Sequence, residues 1–301
     1  MCIKKWILVF AFFYTGFLYA GNVPAFYGTE KKIKVENASI SYYRFGQGKP
    51  LVLVTGHGDT MMYWHPEMLK RLSQTRELVI FDYPGIGQST TTGAFPSTMD
   101  ELANLVHQFV KTQNFKKPDI LGFSMGGSVV LKLATIHGED YHKIIAVGGK
   151  AGGPKTVAPQ QKYFKLLSDP SISPAKAVKT LLFPPTAAKE ADAYLEVLAK
   201  LPQEKVNIKA LQAQAKAVTK ENTGKGIWGA LGKVKNDVLI LNGTEDVLTP
   251  VINAQRIANA IPGSWLARIK GAGHGVLFQK PIFAADLILL FTEQGGGTIF
   301  N

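Results

Sequence analysis

The sequence predicts an α/β protein: an open, mostly parallel sheet flanked by helices, with an all-helical insertion late in the chain. Three observations carry this reading. Short apolar runs at residues 51–54, 78–81, 119–121, 143–147 and 238–241 have the composition of strands covered on both faces. Stretches with apolar residues at helical spacing lie between several of them, as in a layered α/β chain. Finally, turns holding serine, acid or histidine follow several of the strand ends, and the carboxyl ends of parallel strands share the sheet edge where sites assemble.

The elements follow in order. Residues 1–6 carry Lys4 and Lys5, and the next 14 residues, 7–20, are almost all apolar. That is the layout of a secretory signal peptide over residues 1–20, short for a membrane span of about 20 residues. Export to a periplasm or the exterior is therefore expected, with an uncleaved membrane anchor as the alternative. Cys2 precedes the apolar stretch and is the single cysteine, so the exported part is expected to hold no disulfide. Residues 32–35 and 40–45 flank Asn37-Ala38 as a hairpin. The strand at 51–54 ends in Thr55-Gly56-His57-Gly58-Asp59, and the strand at 78–81 in Asp82-Tyr83-Pro84-Gly85-Ile86-Gly87-Gln88-Ser89. Residues 97–115 read as a covering helix, capped by Ser97, with Asp100 and Glu101 in its first turn and Leu102, Leu105 and Phe109 on one face.

After the run at 119–121 comes Gly122-Phe123-Ser124-Met125-Gly126-Gly127. This G-x-S-x-G form is that of a nucleophile elbow, a sharp strand-to-helix turn that lifts a serine hydroxyl above the sheet. Gly122 and Gly126 relieve the crowding, because they have no Cβ. A helix continues over 128–137 and a strand returns at 143–147. From 154 to 235 the pattern turns helical, with helices expected at 159–168, 174–182, 185–200 and 203–219; proline stands at or near the start of three. The strand at 238–241 ends in Asn242-Gly243-Thr244-Glu245-Asp246, and the one at 267–269 in Lys270-Gly271-Ala272-Gly273-His274-Gly275.

The chain order serine, acid, histidine, each just past a strand end, resembles the α/β-hydrolase superfamily from about residue 35 to 292. The resemblance implies an eight-stranded-type sheet, a core of residues 21–153 and 236–301, and a helical lid at 154–235. It implies Ser124 as nucleophile, His274 as base and Asp246 as the acid that orients it. Glu245 is the adjacent competitor, but Gly243-x-x-Asp246 followed by Val247-Leu248-Thr249-Pro250 matches the family loop better. Thr55 stands where the family usually has histidine and Gly56 matches its glycine, so the oxyanion donors fall to the backbone N–H groups of His57 and Met125. The His57 side chain is read as pocket lining. Asp82, in a stretch the family shares, is read as structural. His107, His137 and His142 are read as surface or packing residues.

The expected activity is hydrolysis of carboxylic esters or related acyl compounds on a small-molecule substrate through an acyl-serine. Cofactor-free haloperoxidase or perhydrolase chemistry and aminopeptidase-like hydrolysis share the same residues, and a non-catalytic ligand-binding protein is the alternative of another class. No cofactor or metal is expected, since no zinc-ligand spacing or dinucleotide fingerprint is present. The chain carries a net charge of +12; its predicted lid holds 14 lysines against 6 acids. Lysines commonly solvate helix faces, and such a lid also suits anionic substrates or anionic lipid head groups. Nucleic acid is not an expected partner. Tyr163, Phe164, Leu166, Leu167, Leu181, Leu182, Phe183 and Trp228 are expected to form the lid's inner apolar surface.

Overall fold

The computed structural model describes residues 21–168 and 172–294, so the expected signal segment at 1–20 lies outside the described residues. Nine strands form one sheet: β1 (Lys31–Val35), β2 (Ala38–Gly46), β3 (Lys49–Val54), β4 (Arg76–Phe81), β5 (Thr90–Thr91), β6 (Asp119–Phe123), β7 (Lys143–Val147), β8 (Asp237–Gly243) and β9 (Trp265–Ile269). Eight run in the order β1-β2-β4-β3-β6-β7-β8-β9, and the two-residue β5 pairs with β2 off this path. Pairing from β4 to β9 is parallel, while β1 and β5 on β2, and β2 on β4, are antiparallel.

The central strands divide their side chains between two cores, as the two-residue period of a strand requires. Val52, Val54, Ile120, Ile144 and Ile240 face one way and pack with α2 (Met99–Thr112), α3 (Met125–Ile136) and α9 (Ile252–Ala260). Leu51, Leu53, Leu121, Ile145 and Leu239 face the other way, toward α1 (Pro66–Leu72) and α11 (Pro281–Glu293). Each such side chain contributes about 1.5–3 kcal/mol by leaving water. Because both faces are covered, the middle of each strand is apolar, and buried polar residues such as Asp119, Lys143 and Asn242 stand near strand ends with hydrogen-bond partners.

Two local expectations are corrected. Thr98, not Ser97, caps α2: its hydroxyl accepts from the Glu101 amide at 3.1 Å, while the Ser97 amide donates to the Glu101 carboxylate at 2.6 Å. Between β7 and β8 lie α4 (Gln161–Ser168), α5 (Pro174–Leu182), α6 (Ala188–Ala199), α7 (Ile208–Thr223) and α8 (Trp228–Leu231). The helix expected from 203 starts at Ile208 instead, with the Asn207 side chain capping it through the Lys209 amide. Preceding residues form a strap on the loop after β4: Ile86 bridges Val206, the Gly87 amide donates to the Lys205 carbonyl, and the Asn207 amide to that of Gly85. Backbone bonds to the core prevail there over helix formation.

Of the apolar residues expected on the insertion's inner surface, Leu181 and Phe183 are buried, and Trp228 packs on the core and donates to the Gly152 carbonyl. The side chains of Phe164 and Leu167 lie outside the described residues. Among the described residues, no helix is long and apolar enough to cross a membrane.

Candidate active site

Ser124 stands between β6 and α3 with φ 55 and ψ −113, a left-handed conformation that a non-glycine residue adopts at a cost. Its surroundings enforce it. A Cβ on Gly122 would overlap the Gly126 carbonyl, and one on Gly126 would overlap that of Val54. The elbow is thus so close to β3 that only hydrogen fits at either glycine. The Ser124 amide is held by the Val147 carbonyl at 2.8 Å.

The turns after β8 and β9 bring the other two groups to this point. His274 Nε2 lies 2.9 Å from Ser124 Oγ, and His274 Nδ1 lies 2.8 Å from Asp246 Oδ2. Asp246 is buried and Glu245 exposed, so of the two adjacent acids it is Asp246 that meets the imidazole. Asp246 Oδ1 accepts from the Leu248 and Thr249 amides at 2.9 and 2.7 Å; Oδ2 accepts from the Thr249 hydroxyl at 2.6 Å. A carboxylate so surrounded by donors presents only an acceptor to Nδ1. The ring proton then belongs on Nδ1, leaving Nε2 free to accept from the serine hydroxyl.

Thr249, and Asn242, whose amide group donates to Asp246 at 3.3 Å, were not singled out from the sequence. Both lie in the segment around Asp246, and a threonine three residues after an acid is the available signal. Lys150, just past β7, was also missed; burial pushes its ammonium pKa down, and Asp246 opposes that shift.

His57 lies in the turn after β3, and Met125 is the first residue of α3, directly after Ser124. The His57 side chain turns to the insertion, where its Nε2 lies 3.1 Å from the Leu211 carbonyl. Burial pushes this imidazole down to about 4, so it is neutral and its Nε2–H donates to that carbonyl. The neighbouring Gly58 amide donates to Gln214 Oε1 at 2.8 Å, so α7 holds this turn at two points. Asp82 does not approach His274. Its Oδ1 accepts from the Met61 amide at 2.6 Å, and its Oδ2 lies beside Glu204 of the insertion's strap: a Cβ on Gly87 would meet both, Glu204 Oε2 at 3.0 Å. Two carboxyls brought this close disfavour a second negative charge, which favours the protonated form of each. Desolvation raises both, Glu204 to about 7 with Glu30 adding negative charge, and Asp82 further through the charges of Glu204 and Glu30.

The insertion closes on the histidine turn. Gly275 donates its amide to the Leu182 carbonyl at 2.7 Å, and Tyr194 of α6 stacks on Phe278 of α10 (Val276–Gln279) with centroids 4.7 Å apart. Phe278 and His274 both flank Phe123. A cavity of about 610 Å³ opens between the insertion and the Asp246 loop, lined by Tyr163, Lys179, Phe183, Pro185, Asp246 and Val247. It is in the size range of small-molecule pockets, and it adjoins the acid side of the constellation rather than Ser124.

Among the described residues, one group has metal-ligand spacing: His107, His137 and Asp140. Its two imidazoles stack at 3.8 Å and 3°, so their lone pairs run side by side instead of converging, and Lys111 already sits 3.3 Å from Asp140. That arrangement suits packing. His142 lies 2.9 Å from Asp119, at the opposite end of β6 from the serine turn.

Comparison with known proteins gives the same architecture. A Caulobacter sp. (strain K31) protein named for carbamate hydrolysis, RutD, is 24% identical over 238 residues, 77% of this chain and 85% of its own. A poly(3-hydroxyalkanoate) depolymerase from Ectopseudomonas oleovorans is 25% identical over 257 residues, 81% of this chain and 84% of its own. The solved structure of an α/β hydrolase fold protein from Chitinophaga pinensis superposes with a TM-score of 0.81 at 23% identity, covering 88% of this chain and 98% of that one. The family profile described as α/β hydrolase fold matches residues 49–281, and the chain accordingly belongs to that family.

Proposed function

We propose that the protein is a serine hydrolase that cleaves carboxylic esters or related acyl compounds through an acyl-serine intermediate. The observation that carries this is the line of contacts from Ser124 Oγ through His274 to Asp246, at 2.9 and 2.8 Å. A neutral hydroxyl is a weak nucleophile until a base takes its proton, and His274 Nε2 is within reach. Ser124 Oγ attacks the acyl carbon as its proton passes to Nε2. Asp246 holds the ring and stabilises the imidazolium that forms. His274 then gives the proton to the departing oxygen or nitrogen as its bond to the acyl carbon breaks. In the second half it takes a proton from water, which attacks the acyl-serine, and returns it to Ser124 Oγ as the acyl–oxygen bond breaks and the acid leaves.

The backbone N–H groups of His57 and Met125 are assigned to the developing oxyanion, each worth about 3 kcal/mol in the transition state. The two curated relatives above carry names of carbamate and polyester cleavage, both acyl chemistry. The insertion at 154–235 serves as the lid, and its lysines favour anionic substrates or lipid head groups. Export by the segment at 1–20 is part of the same reading, and amino-terminal sequencing starting near Gly21 supports it, whereas a retained Met1 favours the anchor.

The test is direct. The purified protein should hydrolyse short p-nitrophenyl esters and take a fluorophosphonate label, and Ser124→Ala should lose both. Labelling that persists in the variant places the nucleophile elsewhere.

A further inference from the structure

Asp59 is a carboxyl beside the nucleophile that the steps above do not use. It belongs to the turn after β3 and is partly buried. A Cβ on Gly56 would collide with Asp59 Oδ2 and lie 3.3 Å from Ser124 Cβ, so carboxyl and nucleophile border the same small space. The Gly56 backbone and His274 both favour its charged form. Tyr63, in the single helical turn after β3, and Tyr194 of α6 lie within its electrostatic reach.

We infer that Asp59 is a specificity-determining residue of the site, accepting a hydrogen bond from a hydroxyl or amino group on C2 or C3 of the acyl chain. The inference rests on Ser124 as the acylated residue. A carboxylate at this place is an acceptor next to where the carbonyl must sit, and a charged acceptor makes stronger hydrogen bonds than a neutral one. It repels a second carboxylate, so plain acyl chains and diacids fit less well than chains with a donor. Burial pushes Asp59 up to about 7, with His274 and the Gly56 amide pulling the other way. Both tyrosines are pushed up by burial and by Asp59 itself, and stay neutral. Preference for a donor therefore grows as pH rises through neutrality.

The experiment compares kcat/KM for the p-nitrophenyl esters of 2-hydroxybutyrate, 3-hydroxybutyrate and butyrate between pH 6 and 8.5. The native protein should favour one hydroxy ester about tenfold or more at the upper end. Asp59→Leu should bring that ratio near one and remove its rise with pH; Asp59→Asn should remove the rise and lower the ratio. Because each ratio is taken within one preparation, loss of folded protein cancels. A native ratio near one, or a ratio that Asp59→Leu leaves unchanged, overturns the inference. If the native protein turns over none of the esters, the hydrolase reading fails first. Dissociation constants of methyl 3-hydroxybutyrate, methyl 2-hydroxybutyrate and methyl butyrate for Ser124→Ala protein, with and without Asp59→Leu, then decide this one: equal constants for all three esters, or a preference that survives Asp59→Leu, refute it.

Discussion

Around Ser124 the chain is held by backbone touching backbone, whereas the insertion rests on the sheet through side chains and a few scattered hydrogen bonds. At the elbow, a Cβ on Gly122 or Gly126 would overlap a carbonyl, and Asp246 is fixed by two amides and a hydroxyl. Above it, the insertion is joined by the Tyr194–Phe278 stack, the Gly275–Leu182 bond, the strap at 205–207 and a carboxyl pair. The first kind of contact leaves no slack and tolerates few side chains. The second can be loosened piece by piece, the property expected of the part that admits different reactants.

Four substitutions would break or sharpen this contrast, from the largest effect down. Asp246→Asn keeps the shape but leaves the Nδ1 proton without its acceptor, so kcat should fall by roughly 10⁴ with KM little changed; steady-state kinetics on a p-nitrophenyl ester checks this. Gly126→Ala should destabilise the fold by on the order of 3 kcal/mol, since the added methyl must displace backbone, and a denaturant melt reads it. Tyr194→Phe removes the hydroxyl that donates to the Tyr63 carbonyl at 2.8 Å. It should cost about 1 kcal/mol of stability and change KM more than kcat, which places the loss in the insertion rather than the elbow.

The smallest effect concerns pH. Glu204 is raised to about 7 in the folded chain from an ordinary 4.5. A raised acid contributes stability below its unfolded pKa, and the contribution is lost as pH rises through the folded one. The native melting temperature should therefore drop between pH 5 and pH 8, and Glu204→Gln should reduce that drop by supplying a neutral donor to Asp82. An unchanged drop would mean that Glu204 is not the group that titrates in this range.

The sheet was legible in sequence because the middles of strands covered on both faces are apolar. β9 was read short, from 267, since Trp265 and Leu266 lie at a partly exposed margin where the pattern weakens. The start of α7 was misplaced because residues 203–207 pair with a loop more than 100 positions earlier, a contact that no local signal announces. Ser124, Asp246 and His274 could be picked out because each follows a strand and sits among glycines or acids of a distinctive turn. Lys150 and the closeness of Glu204 to Asp82 depend on how distant segments meet. Nothing in residue type alone marks them.

The bond from Gly275 to Leu182 ties the residue after His274 directly to the end of α5. A rigid upward swing of the whole insertion must either break that bond or pull on the turn that carries the imidazole. Displacing α5 and displacing the base are thereby coupled through a single backbone contact.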